Sequence, residues 1–385
     1  MIRFMTFFLS DIRIWYLIFL AYVWAWRSHR AMATIKNAPF IHPLLRSLPA
    51  PQSLVSVIIP AKNEARNIRE CLTSLLAQDY QNYEIIVAND SSTDTTEEIL
   101  KSFGARIRYV NVSPTPSGWT GKNFAIHSAM NLTQGDWYLF TDADTRHQSS
   151  SISSAVSHAE SRKLSFLTLL PKCLTGGFLE NVLQPCIMGF MGLWFPMDQI
   201  NSPDSGLSFA NGQYILMRAE LHQRIGGHEN VFDQYLEDFA LMKRAKELGE
   251  RVECALGTSI FGTRMYHAFS YIWRGWRRIY LHAYEKNIAM LLRRMADLFF
   301  TVVLPFFALP FFIPATLENP ASQAFFWISA AAVLGFILIV AWTSYGIVRA
   351  KQIYFIFFPA ASLILMLILG NAVLVAASRQ KTKWR

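Results

Sequence analysis

Short unbroken apolar runs alternate with helix-spaced segments through the middle of the chain. VSVIIP, Val55–Pro60, is bounded by polar residues and has the length of a buried strand. Apolar positions at helical spacing follow from Ala65 to Ala77. EIIVAND, ending at Asp90, predicts a second strand, and Thr95–Phe103 a second helix. DWYLFTDAD, Asp136–Asp144, predicts a further strand that runs into acidic residues. Strands alternating with helices imply βαβ units and a mainly parallel sheet, so residues 54–263 are expected to form one α/β domain.

The flanks have a different pattern. Residues 1–30 are apolar except for a break at Asp11 and Arg13, and close on Trp24, Trp26, Arg27, His29 and Arg30. No small-residue cleavage site follows, so a retained membrane anchor is expected, with its basic end in the cytosol. Residues 31–53 carry four prolines, Pro39, Pro43, Pro49 and Pro51, and predict a linker. Residues 264–297 contain YIWRGWRRIYLHAY, an aromatic and basic stretch suited to an interfacial amphipathic segment. Residues 298–378 hold three apolar runs, Leu298–Pro314, Ala324–Trp342 and Ile353–Ala376. The last two approach or exceed the roughly 20 residues that span a bilayer. The first carries Pro305, Pro310 and Pro314, which suits a kinked, re-entrant or interfacial segment. Residues 379–385 form a basic tail. Three spans would put that tail outside, and two spans plus one interfacial segment would keep it inside.

Composition agrees with partial residence in lipid. Charged residues make up 16% of the 385, against about 25% in ordinary soluble chains. The formal charge of +9 suits nucleic acid or anionic lipid and phosphorylated substrates; the hydrophobicity favours the second, and no nucleic-acid motif is present. Cys71, Cys173, Cys186 and Cys254 are scattered without a CxxC pair, which predicts buried thiols in a reducing compartment.

The chemistry gathers at predicted strand ends, where α/β sheets bind ligands. TDAD, Thr141–Asp144, places Asp142 and Asp144 one residue apart, so both carboxylates can approach one Mg²⁺ or Mn²⁺ shared with substrate phosphates. Alone, such a triplet equally suits a solvated turn or a helix cap. Two other turns agree with the ligand reading. Pro60, Lys62, Asn63 and Glu64 follow the first strand, and Asp90, Ser91, Ser92 and Asp94 follow the second. Ser and Thr in the latter run also cap a helix. His147, His228 and His267 are possible further metal or phosphate contacts, although a lone histidine is more often structural.

The order PAKNEARN, EIIVANDSSTDTT, GWTGKNFA, LFTDADT and YLEDFALMKRAKELG resembles family 2 of the glycosyltransferases over roughly Val55–Gly249. PTPSGWTGKNFA, with the later RMY and WRGW segments, is similar to the hopene-associated and carotenoid (diaponeurosporenoate) branch. The resemblance implies a GT-A fold, a Rossmann-like mixed sheet sandwiched by helices, here with flanking transmembrane helices. It implies that Pro60, Asn63, Glu64, Asp90, Lys122 and Asp142 bind a UDP-sugar. It implies Asp142 and Asp144 as ligands of Mg²⁺ or Mn²⁺, and Glu237 and Asp238 as the catalytic acidic pair, with Asp238 the general base. The expected reaction is inverting transfer of one hexose to a lipid or terpenoid (hopanoid, carotenoid or glycerolipid), at the cytoplasmic membrane with the catalytic domain cytosolic.

One departure from the family bears on the product. The QxxRW motif of processive polysaccharide synthases is absent after the acidic pair, which favours single transfer. The apolar stretch Phe178–Met197 lies between the metal motif and the base and suits either a greasy acceptor or ordinary core. Transfer to a polyprenyl phosphate, or a catalytically silent membrane scaffold, are the competing readings.

Overall fold

The computed structural model describes residues 12–44, 52–307 and 320–378. Two compact units emerge. Among the described residues, one comprises those of Ala38–Leu174 and Phe195–Met265; the other gathers those before Ala38, Thr175–Trp194 and those from Tyr266 on.

The chain's first described helix is α1, Ile12–Asn37, which continues seven residues into the stretch expected as a linker. Strand β1, Val55–Ala61, then opens the α/β unit. It is followed by α2 (Ile68–Leu76), β2 (Tyr83–Asn89), α3 (Thr96–Ser102), β3 (Arg108–Asn111), α4 (Gly121–Met130) and β4 (Trp137–Phe140). After these come β5 (Thr145–His147), α5 (Ser151–Ser161), β6 (Phe166–Leu170) and β7 (Lys172–Cys173). Helix α6, Phe178–Trp194, belongs to the other unit. The α/β unit resumes with β8 (Ile215–Arg218), α7 (Glu237–Glu247), β9 (Val252–Leu256) and β10 (Phe261–Thr263).

Seven strands form one sheet in the order β3-β2-β1-β4-β8-β6-β9, and β5, β10 and β7 form a second, small sheet. The large sheet is mixed. β1 runs parallel to β2 and β4, whereas β8 lies antiparallel to both β4 and β6. Strands covered on both faces need apolar residues at successive positions rather than alternate ones. Accordingly Val57, Ile58 and Ile59 are all fully buried, as are Ile86 and Val87 beside them. Helix α2 buries Ile68, Cys71, Leu72 and Leu75, one stripe at helical spacing. From β1 the chain steps outward through β2 to β3, then returns so that β4 lies on β1's other side. That reversal is a topological switch point, and the carboxyl ends of β1, β2 and β4 meet there.

The second unit is helical. Besides α1 and α6 it contains α8 (Phe269–Ala283), α9 (Ile288–Leu298), α10 (Pro320–Ile347) and α11 (Phe358–Ala377). Phe326–Ile347 and Gln352–Ala377 are long and apolar enough to cross a membrane, and they coincide with two of the expected spans. Of the run expected over Leu298–Pro314, residues 308–314 lie outside the described residues. The described part makes a π-helical turn at Phe299–Val303, ahead of Pro305. Of the expected anchor, residues 1–11 likewise lie outside the described residues. Within α1, Leu17, Leu20 and Trp24 are buried, while Trp26 is exposed. Arg27 is buried in an ion pair with Asp297 of α9, and Asp297 also accepts from Trp194 Nε1 at 3.1 Å. All four cysteines are buried free thiols, as the sequence predicts.

Candidate active site

The turns after β1 and β2 brace each other. Asn63 adopts a left-handed backbone (φ 56°), a conformation that asparagine tolerates better than most residues. Its N–H donates to Ser92 Oγ at 3.0 Å, and its side-chain oxygen accepts from Thr93 N at 2.7 Å. The Glu64 N–H donates to Thr96 Oγ1 at 2.8 Å, and the Ala65 N–H to Asp94 Oδ2 at 3.1 Å. Asp90 is buried and accepts from Lys62 Nζ at 3.0 Å. Asn63 and Glu64 therefore shape this corner through their backbone and side chains, and Asp90 supplies a carboxylate already matched by a partly exposed ammonium.

The second half of the site is assembled around Lys122. Thr120 caps α4 by accepting from Asn123 N at 3.3 Å. Asn123 Nδ2 in turn donates to the carbonyls of Val231, at 2.6 Å, and Gln234, at 2.9 Å. These bonds tie the start of α4 to the loop that enters α7, and so fix Lys122 relative to the acidic pair. Lys122 Nζ lies 2.9 Å from Asp142 Oδ1 and 2.8 Å from Glu237 Oε1. The neighbouring Asp238 accepts from the Gly212 N–H at 2.8 Å and from the Phe239 N–H at 2.9 Å. Lys122, Asp142, Gly212 and Glu237 line one cleft, together with Pro60 and His228.

Charges in this cleft are strongly coupled. Burial works against the Lys122 ammonium, but the carboxylates of Asp142, Glu237 and Asp238 outweigh it and hold its pKa above the usual lysine range. Asp238 is also raised, which for a carboxylic acid disfavours the charged form. Burial, reinforced by the Glu237 carboxylate, pushes it up to about 7, against the pull of Lys122 and the two backbone N–H groups. A carboxylate tuned near neutrality accepts a proton far better than one of ordinary acidity.

The family described as Glycosyl transferase family 2 matches residues 56–226. The chain carries a family 2 glycosyltransferase domain. Among curated relatives, the 4,4'-diaponeurosporenoate glycosyltransferase of Staphylococcus haemolyticus (strain JCSC1435) is 28% identical over 228 residues, 58% of this chain and 60% of that protein. Its counterpart from Staphylococcus aureus (strain USA300) is 27% identical over 229 residues, with the same shares. The chain thus aligns with about three fifths of these relatives' length. Among solved structures, a mannosyltransferase from Pyrobaculum calidifontis, in complex with GDP-mannose and Mn²⁺, superposes with a TM-score of 0.55. It is 19% identical, and the match covers 95% of this chain and 96% of that one. That likeness shows a shared fold, the GT-A mixed sheet that the motif order implies.

In the glycosyltransferase domain, the acidic motif after β4 offers hard oxygen donors only. Asp142 has 31% of its side chain exposed toward solvent and Asp144 accepts from Thr263 Oγ1 at 3.3 Å. Among the described residues, no three His, Cys, Asp or Glu side chains converge as a complete metal cage. Asp142, which lines the cleft, and Asp144 two residues on offer the oxygen ligands that suit an ion completing its shell with phosphate oxygens and water, as Mg²⁺ and Mn²⁺ do.

The histidines separate by surroundings. His147 is buried, within 3.2 Å of Thr141 Oγ1 and 3.0 Å of Thr145 Oγ1, and burial followed by Arg146 pushes it down to about 3. It braces the acidic turn as a neutral ring. His228 lines the cleft, with Nδ1 held 3.0 Å from His222 Nε2. His267 lies at a tilt against the Tyr271 ring in the helical unit.

One participant carries no motif of its own: Gly212 holds Asp238, whereas Lys62, within PAKNEARN, is seen to pair with Asp90. A Cβ on Gly212 would stand 3.0 Å from Lys122 Nζ, 3.2 Å from Asp238 Oδ2 and 3.3 Å from Glu237 Oε1. The sequence signal for Gly212 is a glycine two residues ahead of the apolar run YILM, where close backbone approach is common.

Proposed function

We propose that the chain is an inverting, membrane-integral glycosyltransferase that moves one hexose from a UDP-sugar to a lipid or terpenoid acceptor at the cytosolic face of the cytoplasmic membrane. The observation that carries this reading is the Lys122–Asp142–Glu237–Asp238 cluster at the switch-point end of a family 2 domain.

Asp238 is the general base. Its carboxylate takes the proton of the acceptor hydroxyl as that oxygen attacks the anomeric carbon. The bond to the nucleoside diphosphate breaks on the opposite face, and the leaving group departs with the electron pair. One displacement inverts the configuration. Gly212 and Phe239 keep the Asp238 carboxylate oriented through their N–H groups. Glu237 anchors Lys122, whose ammonium faces the diphosphate and offsets its charge. Asp90 and the Pro60–Glu64 turn form the nucleoside end of the site. Asp142 and Asp144 would hold Mg²⁺ or Mn²⁺, whose charge stabilises the departing diphosphate; the mannosyltransferase neighbour was solved with Mn²⁺.

The acceptor class rests on two supports. The curated relatives are named for a carotenoid acid, and two helices of this chain are apolar enough to cross a bilayer. The absence of QxxRW favours a single transfer. The deciding experiment supplies labelled UDP-hexose to membranes that contain the wild-type chain or Asp238→Asn. Labelled lipid made by the wild type alone is expected. Equal labelling by both would remove Asp238 from its role as base.

A further inference from the structure

Helix α8 carries Arg274, Arg277 and Arg278 and no acidic residue. Positions three and four apart share one helix face, so the three guanidinium groups crowd a single side. Like charges at that spacing destabilise a helix unless a counter-charge is supplied. Among the described residues none of the three forms an ion pair with Asp or Glu. Arg274 donates to its own helix, to the Ser270 carbonyl at 3.2 Å, and lies over the Tyr271 ring.

Arg277 is held from the neighbouring helix. Its NH1 donates to Asn371 Oδ1 at 3.1 Å, and Trp273 Nε1 donates to the same oxygen at 3.1 Å. Arg277 Nε is shielded and has no hydrogen-bond partner. A guanidinium has five donors in a rigid fork, and here that fork is oriented yet largely unused. Beside Arg277 in the chain, Trp276 Nε1 donates to Gln184 Oε1 at 2.8 Å, which fixes α8 on α6. The local field is positive. Burial, with Lys286 and Arg278 adding to it, pushes His282 down to about 4.

Asn371 and Ser362 are the two polar side chains of α11, and Asn371 lies six residues before the helix ends at Ala377. At 1.5 Å per residue, that is roughly 9 Å from the end of the helix. The chain beyond carries Arg379, Lys381, Lys383 and Arg385, and basic ends face the cytosol, where anionic lipids are concentrated. A polar side chain in an apolar helix is retained where it finds partners across a helix interface, and Asn371 finds them in Trp273 and Arg277.

We propose that Arg277, oriented by Asn371 and Trp273 and supported by Arg274 and Arg278, binds the phosphate of an anionic membrane lipid. The ligand chemistry is a phosphate oxyanion, met by the guanidinium fork. This inference rests on the membrane reading above but not on the identity of sugar or acceptor.

The test uses the full chain purified in a neutral detergent, with bound lipid counted by native mass spectrometry. Phosphatidylglycerol and phosphatidylcholine are offered in equal amounts. The wild type is expected to retain phosphatidylglycerol about tenfold over phosphatidylcholine, the ratio that one good charge-assisted contact supplies. Arg277→Gln removes that preference, Arg277→Lys restores part of it, and Asn371→Leu weakens it while the melting temperature stays near that of the wild type. UDP affinity, read by calorimetry, is unchanged in Arg277→Gln. Wild-type retention in Arg277→Gln would overturn the site. Displacement of the lipid by an equal concentration of inorganic phosphate, or a loss of UDP affinity in Arg277→Gln without lipid loss, would overturn the lipid as its ligand. Release of the wild type from membranes by carbonate would instead remove the membrane reading on which the inference stands.

Discussion

The backbone N–H of Gly212 donates to Asp238 Oδ2 at 2.8 Å, so the orientation of the acidic side chain is set by a residue 26 positions earlier. The same glycine lies against Lys122 and Glu237, where a methyl group would press on all three charged ends. Those ends are flexible, so Gly212→Ala is expected to fold with a stability within about 1 kcal/mol of the wild type. Its turnover should drop by roughly tenfold or more, because small misplacements in a reacting geometry are costly. Thermal melting and initial rates on one preparation separate the two effects.

Replacing the base itself has a sharper expectation. Asp238→Asn keeps the shape and the bond from Gly212 but cannot take a proton. Turnover should fall by about 10²–10⁴-fold, the range for loss of a positioned base, while the nucleotide still binds. Calorimetry with UDP checks the second half. Unchanged turnover would favour a phosphate acceptor, which needs no strong base.

Lys122→Met leaves Asp142, Glu237 and Asp238 facing one another without their cation. Removing one partner of a buried ion pair costs about 3–5 kcal/mol, so a clear fall in melting temperature is expected. Nucleotide affinity should fall as well, since the ammonium faces the diphosphate. A variant as stable as the wild type would show that the cluster is more solvated than its geometry implies.

The raised pKa of Asp238 makes two pH predictions of opposite sign. For activity, the base must be ionised, so kcat/KM should rise with pH through about 7. For stability, the folded protein holds a proton that the unfolded chain releases near the ordinary aspartate value. The group's contribution is therefore fully present below about 4 and is lost as pH climbs toward 7. Chemical denaturation of wild type and Asp238→Asn across this window measures the difference.

Metal dependence is tested at the acidic turn. Asp142→Ala and Asp144→Ala should each nearly abolish transfer, because the departing diphosphate loses its counter-charge. Titration of Mn²⁺ into the protein with UDP should show binding in the wild type and little in either variant. Full turnover in EDTA would contradict this.

Legibility in the sequence followed how local the determining physics was. β1, β2 and β4 were legible because burial on both faces demands unbroken apolar runs, and their polar ends announced the turns at Pro60, Asp90 and Asp142. The reversed strand β8, Ile215–Arg218, was not: direction within a sheet depends on pairing partners far away in the chain. Lys122, Asp142 and Glu237 were named singly from motifs, yet their direct ion pairs arise only when α4 and the loop entering α7 are tied together through Asn123. Arg27 has the pattern of a free interfacial charge in the sequence and is a buried partner of Asp297 in the structure. A backbone donor such as Gly212 leaves almost no trace in a sequence, since every residue but proline has an N–H.

The central claim is transfer of one sugar to an apolar acceptor. Membranes bearing the chain, supplied with labelled UDP-hexose and then partitioned between organic solvent and water, test it most directly. Label is expected in the organic phase on a species carrying a single hexose, absent with Asp238→Asn. Label confined to a water-soluble polymer would contradict both the acceptor class and the single transfer.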